Sequence, residues 1–145
     1  MITLFTMGFG KKNAHDFFEA LRDASVRIVV DVRLNNVSQL AGFTKRDDLR
    51  YFLREIGGIG YEHKEELAPT KDILDGYRKG QLDWDEYTRR FCELMRDRRI
   101  EETITPEELD RACLLCSEPH AEKCHRRLVA EYLKEHWLDV SIHHL

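Results

Sequence analysis

Cys124, His125 and Arg126 are consecutive in the chain, and Arg127 follows them. A thiol, an imidazole and two guanidinium groups offer a nucleophile, an acid/base and an anion clamp. At the start of a helix, unpaired backbone N–H groups and neighbouring cations would both favour a thiolate at Cys124, with His125 as its acid/base partner. The same triplet would serve as an anion site, with Arg126 holding a phosphate over the helix start. A second constellation is Asp31-Val32-Arg33. Residues two apart on a strand share a face, so Arg33 can clamp an anion while Asp31 orients it or acts as a base. The structural alternative is an ion pair that merely finishes the strand. Glu118 directly follows an apolar run. Its carboxylate offers an acid or base, or a partner for Arg126. Tyr61 and His63 also share a face by alternation and are candidates to line a pocket.

The elements that must position these residues are short. Ile2–Met7 reads as a first strand ending in the turn Gly8-Phe9-Gly10. Asn13 caps a helix whose apolar stripe is Phe17, Phe18, Leu21 and Ala24. Val26–Val32 is apolar without alternation, as in a strand buried on both faces. Thr44 is read as the cap of a second helix ending at Gly57-Gly58, before a short strand at residues 59–63. One short helix is expected over residues 70–77. Asp83 opens a longer one carrying Trp84, Tyr87, Phe91, Leu94 and Met95. Thr105-Pro106-Glu107-Glu108 has the pattern of a capping box with proline at the first helical position. Residues 112–117 form a fourth strand. A last helix is expected from near Glu122, then a final strand or tail over residues 137–143. Strands alternating with helices predict an α/β fold: a three-layer α/β/α sandwich around a largely parallel sheet of four to five strands. In such a sheet the strand C-terminal ends share one edge, where ligands usually bind.

Composition narrows the function. The chain has 145 residues, 42% of them hydrophobic and 34% charged, which suits one domain spanning residues 1–145. Against 27 acidic residues stand 23 Lys and Arg, a formal net charge of −4. That balance disfavours extended nucleic-acid binding while allowing a local cationic site. No apolar run reaches membrane-spanning length, so no membrane partner is expected. The first residues lack a signal-peptide pattern, so a cytoplasmic protein with reduced thiols is expected. The four cysteines are at 92, 113, 116 and 124. Cys113 and Cys116, with Cys124 and His125, have the ligand count of a zinc site. However, strand alternation puts residues 113 and 116 on opposite faces, and neighbouring Cys124 and His125 would need unusual geometry to share an ion. Neither a metal nor another cofactor is therefore expected. Cys124 stands as the reactive candidate and the other three as packing thiols.

These residues carry a family resemblance. Thr6-Met7-Gly8, Asp31-Val32-Arg33 with Ser38, Phe43 with Gly58-Ile59-Gly60-Tyr61-Glu62-His63 and Leu67, Leu114-Leu115-Cys116-Ser117-Glu118, and Cys124-His125-Arg126 together resemble the domain-of-unknown-function family DUF488. The chain departs from that pattern in two loops. Val37 stands before Ser38 where a proline is common, and Ala68-Pro69 follows Leu67 where a glycine is common. The resemblance implies a compact α/β fold with these segments clustered. It supports a common site built from Asp31, Glu118, Cys124 and His125 as candidate catalytic groups. Gly8, Arg33, Ser38, Tyr61, His63 and Arg126 are the candidate ligand-binding groups. The expected ligand is an anionic or nucleotide-like small molecule, taken by an enzyme or a binding domain. The alternatives are a nucleic-acid-associated module and a non-catalytic structural or interaction domain.

Overall fold

The computed structural model describes residues 1–37, 42–118 and 120–145. Five strands, β1 (Ile2–Gly8), β2 (Ile28–Asp31), β3 (Gly60–His63), β4 (Ala112–Cys116) and β5 (Val140–His144), form an all-parallel sheet in the order β3-β2-β4-β1-β5. The helices are α1 (Ala14–Asp23), α2 (Arg46–Gly57), α3 (Lys71–Arg78), α4 (Trp84–Arg98), α5 (Ile100–Thr103), α6 (Pro106–Leu109) and α7 (His125–His136).

Alternation along the strands divides the interior into two cores. Phe5, Met7, Val29, Cys113 and Leu115 point to one face, where Phe17, Phe18 and Leu21 of α1 and Leu49 and Leu53 of α2 cover them. Leu4, Val30, Ala112, Leu114 and Cys116 point to the other, against Tyr87, Phe91 and Met95 of α4 and Leu128, Val129 and Leu133 of α7. The layers follow from the connections. The crossovers β1→β2 and β2→β3 run one way along the sheet and place α1 and α2 on one face. The crossovers β3→β4 and β4→β5 run back and place α3 to α7 on the other. A single handedness of βαβ connection requires this division. At β4 the layers switch: the helix after β4 lies on one face, while those after its neighbours β1 and β2 lie on the other. Such a switch opens a crevice at the strand C-terminal ends.

The local signals largely match. Asn13, Thr70 and Asp83 each accept a backbone N–H with their side chains at a helix start, and Thr105 and Glu108 form the capping box. Gly58 ends α2 in the left-handed conformation. Several boundaries differ from expectation, among them β5, which starts at Val140 rather than at residue 137. Lys45, without a side-chain cap bond, precedes α2, because Thr44 belongs to a 3-10 turn over Gly42–Thr44. α7 starts at His125 rather than near Glu122, because Cys124 is extended at φ −133° and ψ 139°. β2 is shorter than residues 26–32, although the Val32 N–H continues the ladder by donating to the Leu115 carbonyl at 3.1 Å. Among the described residues no helix is long and apolar enough to cross a membrane.

Candidate functional site

The crevice at the end of β4 widens into a cavity of about 440 Å³. Its floor is Cys116, Ser117 and Glu118 at the end of β4, with Cys124 and His125 at the start of α7. Phe9, after β1, Arg33, after β2, Tyr77 and Arg78 of α3, and Trp84 and Tyr87 of α4 also line it. Strand register explains the convergence. Gly8 pairs with Cys116, and Asp31 pairs with Leu115, so the ends of β1, β4 and β2 lie side by side.

Arg33 is held from behind. Its Nε donates to Asp31 Oδ1 at 2.8 Å and its Nη2 to Asp31 Oδ2 at 2.7 Å, a bidentate pair. Nη2 also donates to the Thr44 carbonyl at 2.7 Å. The Asp31 carboxylate further accepts the Arg33 backbone N–H at 3.1 Å and the Tyr61 hydroxyl at 2.6 Å. Asp31 is fully buried, and these donors occupy both of its oxygens. That is the geometry of an orienter for Arg33 and equally of an ion pair that finishes the strand. It gives the carboxylate no open position from which to act as a base. Burial, followed by the hydrogen bond to Asp31, pushes the Tyr61 phenol pKa well up, so Tyr61 remains a donor. On the same strand, His63 Nε2 lies 2.7 Å from the Arg33 carbonyl. The Phe9 ring lies 5.2 Å from the Arg33 guanidinium carbon.

Arg126 was expected to reach the ligand. It is instead 2% exposed and absent from the cavity wall. Its Nε donates to Thr6 Oγ1 at 3.3 Å, and its Nη1 to Cys116 Sγ at 3.2 Å and to the Glu118 carbonyl. Residue 126 lies three, four and seven positions before the buried Val129, Ala130 and Leu133, so helical periodicity puts it on the face of α7 turned toward the sheet. Gly8 is part of this packing. A Cβ there would run into the Glu118 carbonyl and crowd the Arg126 guanidinium, so only glycine lets β1 pass the chain leaving β4. The Phe9 and Gly10 N–H groups donate to the Cys116 and Ser117 carbonyls at 3.1 and 2.9 Å.

The reading of Cys116 as a packing thiol needs correction. Its sulfur is in direct contact with that of Cys124, although the two Cα atoms are 7.8 Å apart. Alternation explains the different fates of the cysteines: Cys116 faces the α7 side, and Cys113 faces the α1 side. Burial pushes the Cys113 thiol pKa to about 12. His125 Nε2 lies 2.7 Å from the Val32 carbonyl, and the ring meets Phe91 edge-on at 5.7 Å. Burial pulls the His125 pKa down to about 4, so the imidazole is neutral near pH 7.

The aromatic wall is a second feature that sequence reading assigned only to the core. Trp84 stacks on Tyr87 with centroids 5.2 Å apart and planes at 19°, and Tyr77 packs against both. Arg78 and Lys123 are exposed at the cavity rim beside the exposed carboxylate of Glu118. The helical stripe Trp84-Tyr87-Phe91 was the available signal. Its first two rings extend past the sheet edge, so they border the cavity as well as the core.

Thus Arg33, Glu118, Cys124 and His125 border one cavity. Asp31, Tyr61 and His63 brace Arg33, and Gly8 and Arg126 support Cys116 and Glu118 from below. Ser38 lies outside the described residues. A family model for a domain of unknown function, DUF488, matches residues 13–133 of the 145-residue chain. No curated protein and no solved structure matches it.

Proposed function

We propose that this chain, which belongs to the domain-of-unknown-function family DUF488, binds an anionic, nucleotide-like small molecule in the crevice at the end of β4. One observation carries this reading. Arg33, its guanidinium fixed by Asp31 and the Thr44 carbonyl, lines the same cavity as the Trp84–Tyr87 stack. Nη1 of Arg33 makes no hydrogen bond among the described residues, so the guanidinium keeps donors for a ligand. With the Arg33 charge already matched by Asp31, Arg78 and Lys123 supply positive charge in the lining against the carboxylate of Glu118, despite the chain's net charge of −4. A cation and flat aromatic rings in one cavity suit a ligand with a phosphate or carboxylate at one end and a planar ring at the other.

The test is a thermal-shift screen of nucleoside mono-, di- and triphosphates, with inorganic phosphate and unphosphorylated nucleosides as controls. A ligand at one hundred times its Kd stabilises the native state by about 2.7 kcal/mol. At least one nucleotide is expected to raise the Tm of the wild type, and the rise is expected to shrink in Arg78→Ala and Lys123→Ala. Both changes are at exposed positions and leave the fold intact. A screen with no stabilising nucleotide, or equal stabilisation in both variants, contradicts the proposal.

A further inference from the structure

We infer that Cys116, Cys124 and His125 form a three-ligand site for a soft divalent cation of the zinc class, with its fourth coordination position open to the cavity. A ligand atom from each residue lies within 4.8 Å of the other two. A tetrahedral ion with Zn–S bonds of about 2.3 Å and a Zn–N bond of about 2.0 Å holds its ligand atoms roughly 3.3–3.8 Å apart. The Cys116 and Cys124 sulfurs, in direct contact here, move apart by side-chain rotation to admit the ion. Two sulfurs and an imidazole nitrogen select zinc-like ions over magnesium or calcium, which prefer oxygen donors.

The backbone supports the same reading. The Cα atoms of Cys116 and Cys124 are 7.8 Å apart. Disulfides usually hold them within about 4.4–6.8 Å, so convergent sulfurs on so wide a base suit a shared ion better than a direct bond. The positions lie at element ends: Cys116 ends the central strand β4, Cys124 immediately precedes α7, and His125 is the first residue of α7. The objection that neighbouring residues cannot share an ion is met by the extended conformation of Cys124, which lets its sulfur and the His125 ring converge on Cys116.

An outer shell is also present. His125 Nε2–H donating to the Val32 carbonyl at 2.7 Å fixes the ring and leaves Nδ1 as the lone-pair nitrogen, an arrangement typical of metal-bound histidine. Arg126 Nη1, 3.2 Å from Cys116 Sγ, donates to the sulfur and orients it. All three ligands border the cavity, so water or a ligand oxygen can take the fourth position.

The experiment uses cobalt(II) as the spectroscopic probe and zinc(II) as competitor, on full-length protein reduced with a phosphine and freed of metal by a chelator. Reduced wild type is expected to take up about one equivalent of cobalt. The expected spectrum has thiolate-to-cobalt charge-transfer absorption and the strong visible bands of a tetrahedral ion, both abolished by zinc. Cys116→Ser and Cys124→Ser should each remove most of the charge-transfer absorption. His125→Gln should weaken binding, and Cys92→Ser should change nothing. Wild type that binds no cobalt overturns the site whatever the variants do. So does a spectrum unchanged in Cys116→Ser, or a Cys116–Cys124 disulfide that persists in the reduced native protein. Because this readout requires no organic ligand, its failure is distinguishable from failure of the nucleotide screen.

Discussion

Arg126 places Nη1 3.2 Å from the sulfur of Cys116, and its other hydrogen bonds go to Thr6 and the Glu118 carbonyl, neither of them charged. A guanidinium that is 2% exposed, with no carboxylate bound to it among the described residues, favours negative charge on the nearest polarisable atom. Burial lowers the Arg126 pKa from its ordinary value, the direction expected for a cation short of counter-charge. In reduced, metal-free protein, Arg126→Met should slow alkylation of Cys116 by iodoacetamide at pH 7, as read by peptide mass spectrometry. Freeing the Glu118 carbonyl should also cost about 1–3 kcal/mol in urea unfolding. An unchanged alkylation rate would show that Arg126 does not activate the sulfur.

Asp31 and Arg33 form a pair that is buried on both sides. Removing one charge from such a pair strands the other, which typically costs about 3–5 kcal/mol. Asp31→Asn should therefore destabilise more than Tyr61→Phe, which loses the hydrogen bond donated to Asp31 and the one accepted from Asn36 Nδ2, each worth about 1 kcal/mol. Chemical denaturation of both variants gives the comparison. Equal losses would mean that the carboxylate charge is unimportant.

Gly8→Ala should be costly although it adds only a methyl group. The new carbon would collide with the Glu118 carbonyl, so β1 and the β4 exit would have to separate. Overpacking of this kind costs about 1–3 kcal/mol. A lower Tm is expected, with weaker nucleotide and cobalt binding, since Glu118 and Cys116 must move together. Gly42→Ala, with open space around its Cα, is the control and should be silent.

Trp84 should report ligand binding. It stacks on Tyr87 in the cavity wall, whereas the other tryptophan, Trp137, belongs to the core beneath α7. A nucleotide that raises the Tm should quench tryptophan fluorescence in wild type and not in Trp84→Phe. Quenching that survives this change would place the ligand elsewhere.

Stability should depend on His144 below neutral pH. Its Nδ1 shares a hydrogen bond with Thr6 Oγ1, and burial, helped by the nearby Arg126 charge, lowers its pKa. As pH falls below about 6.5, the unfolded chain takes up this proton before the folded one, so stability falls with pH through that window. Above it, both states are neutral at this position and the contribution is fully present. His144→Gln should flatten the pH dependence of Tm between the unfolded and the lowered folded pKa. An unaltered slope would contradict the assignment.

Much of the architecture is legible from local chemistry. Asn13, Thr70, Asp83 and Thr105 each satisfy a backbone donor three residues ahead, so their cap roles can be read within a single turn. The buried runs at Ile2–Gly8, Ile28–Asp31 and Ala112–Cys116 are visible as apolar strings, as expected when a parallel sheet is covered on both faces. The Asp31–Arg33 pair was readable because strand alternation places residues two apart together. Tertiary structure decided what no local rule encodes. Inserting β4 between β2 and β1 brings Cys116 to the switch point, where it meets Cys124 and His125. The packing of the apolar face of α7 on the sheet carries Arg126 inward with it, away from the cavity. Caps and apolar periodicity depend on neighbours within a few residues. Strand order and the direction of a buried guanidinium depend on which apolar faces close over one another, which is settled by contacts between distant parts of the chain.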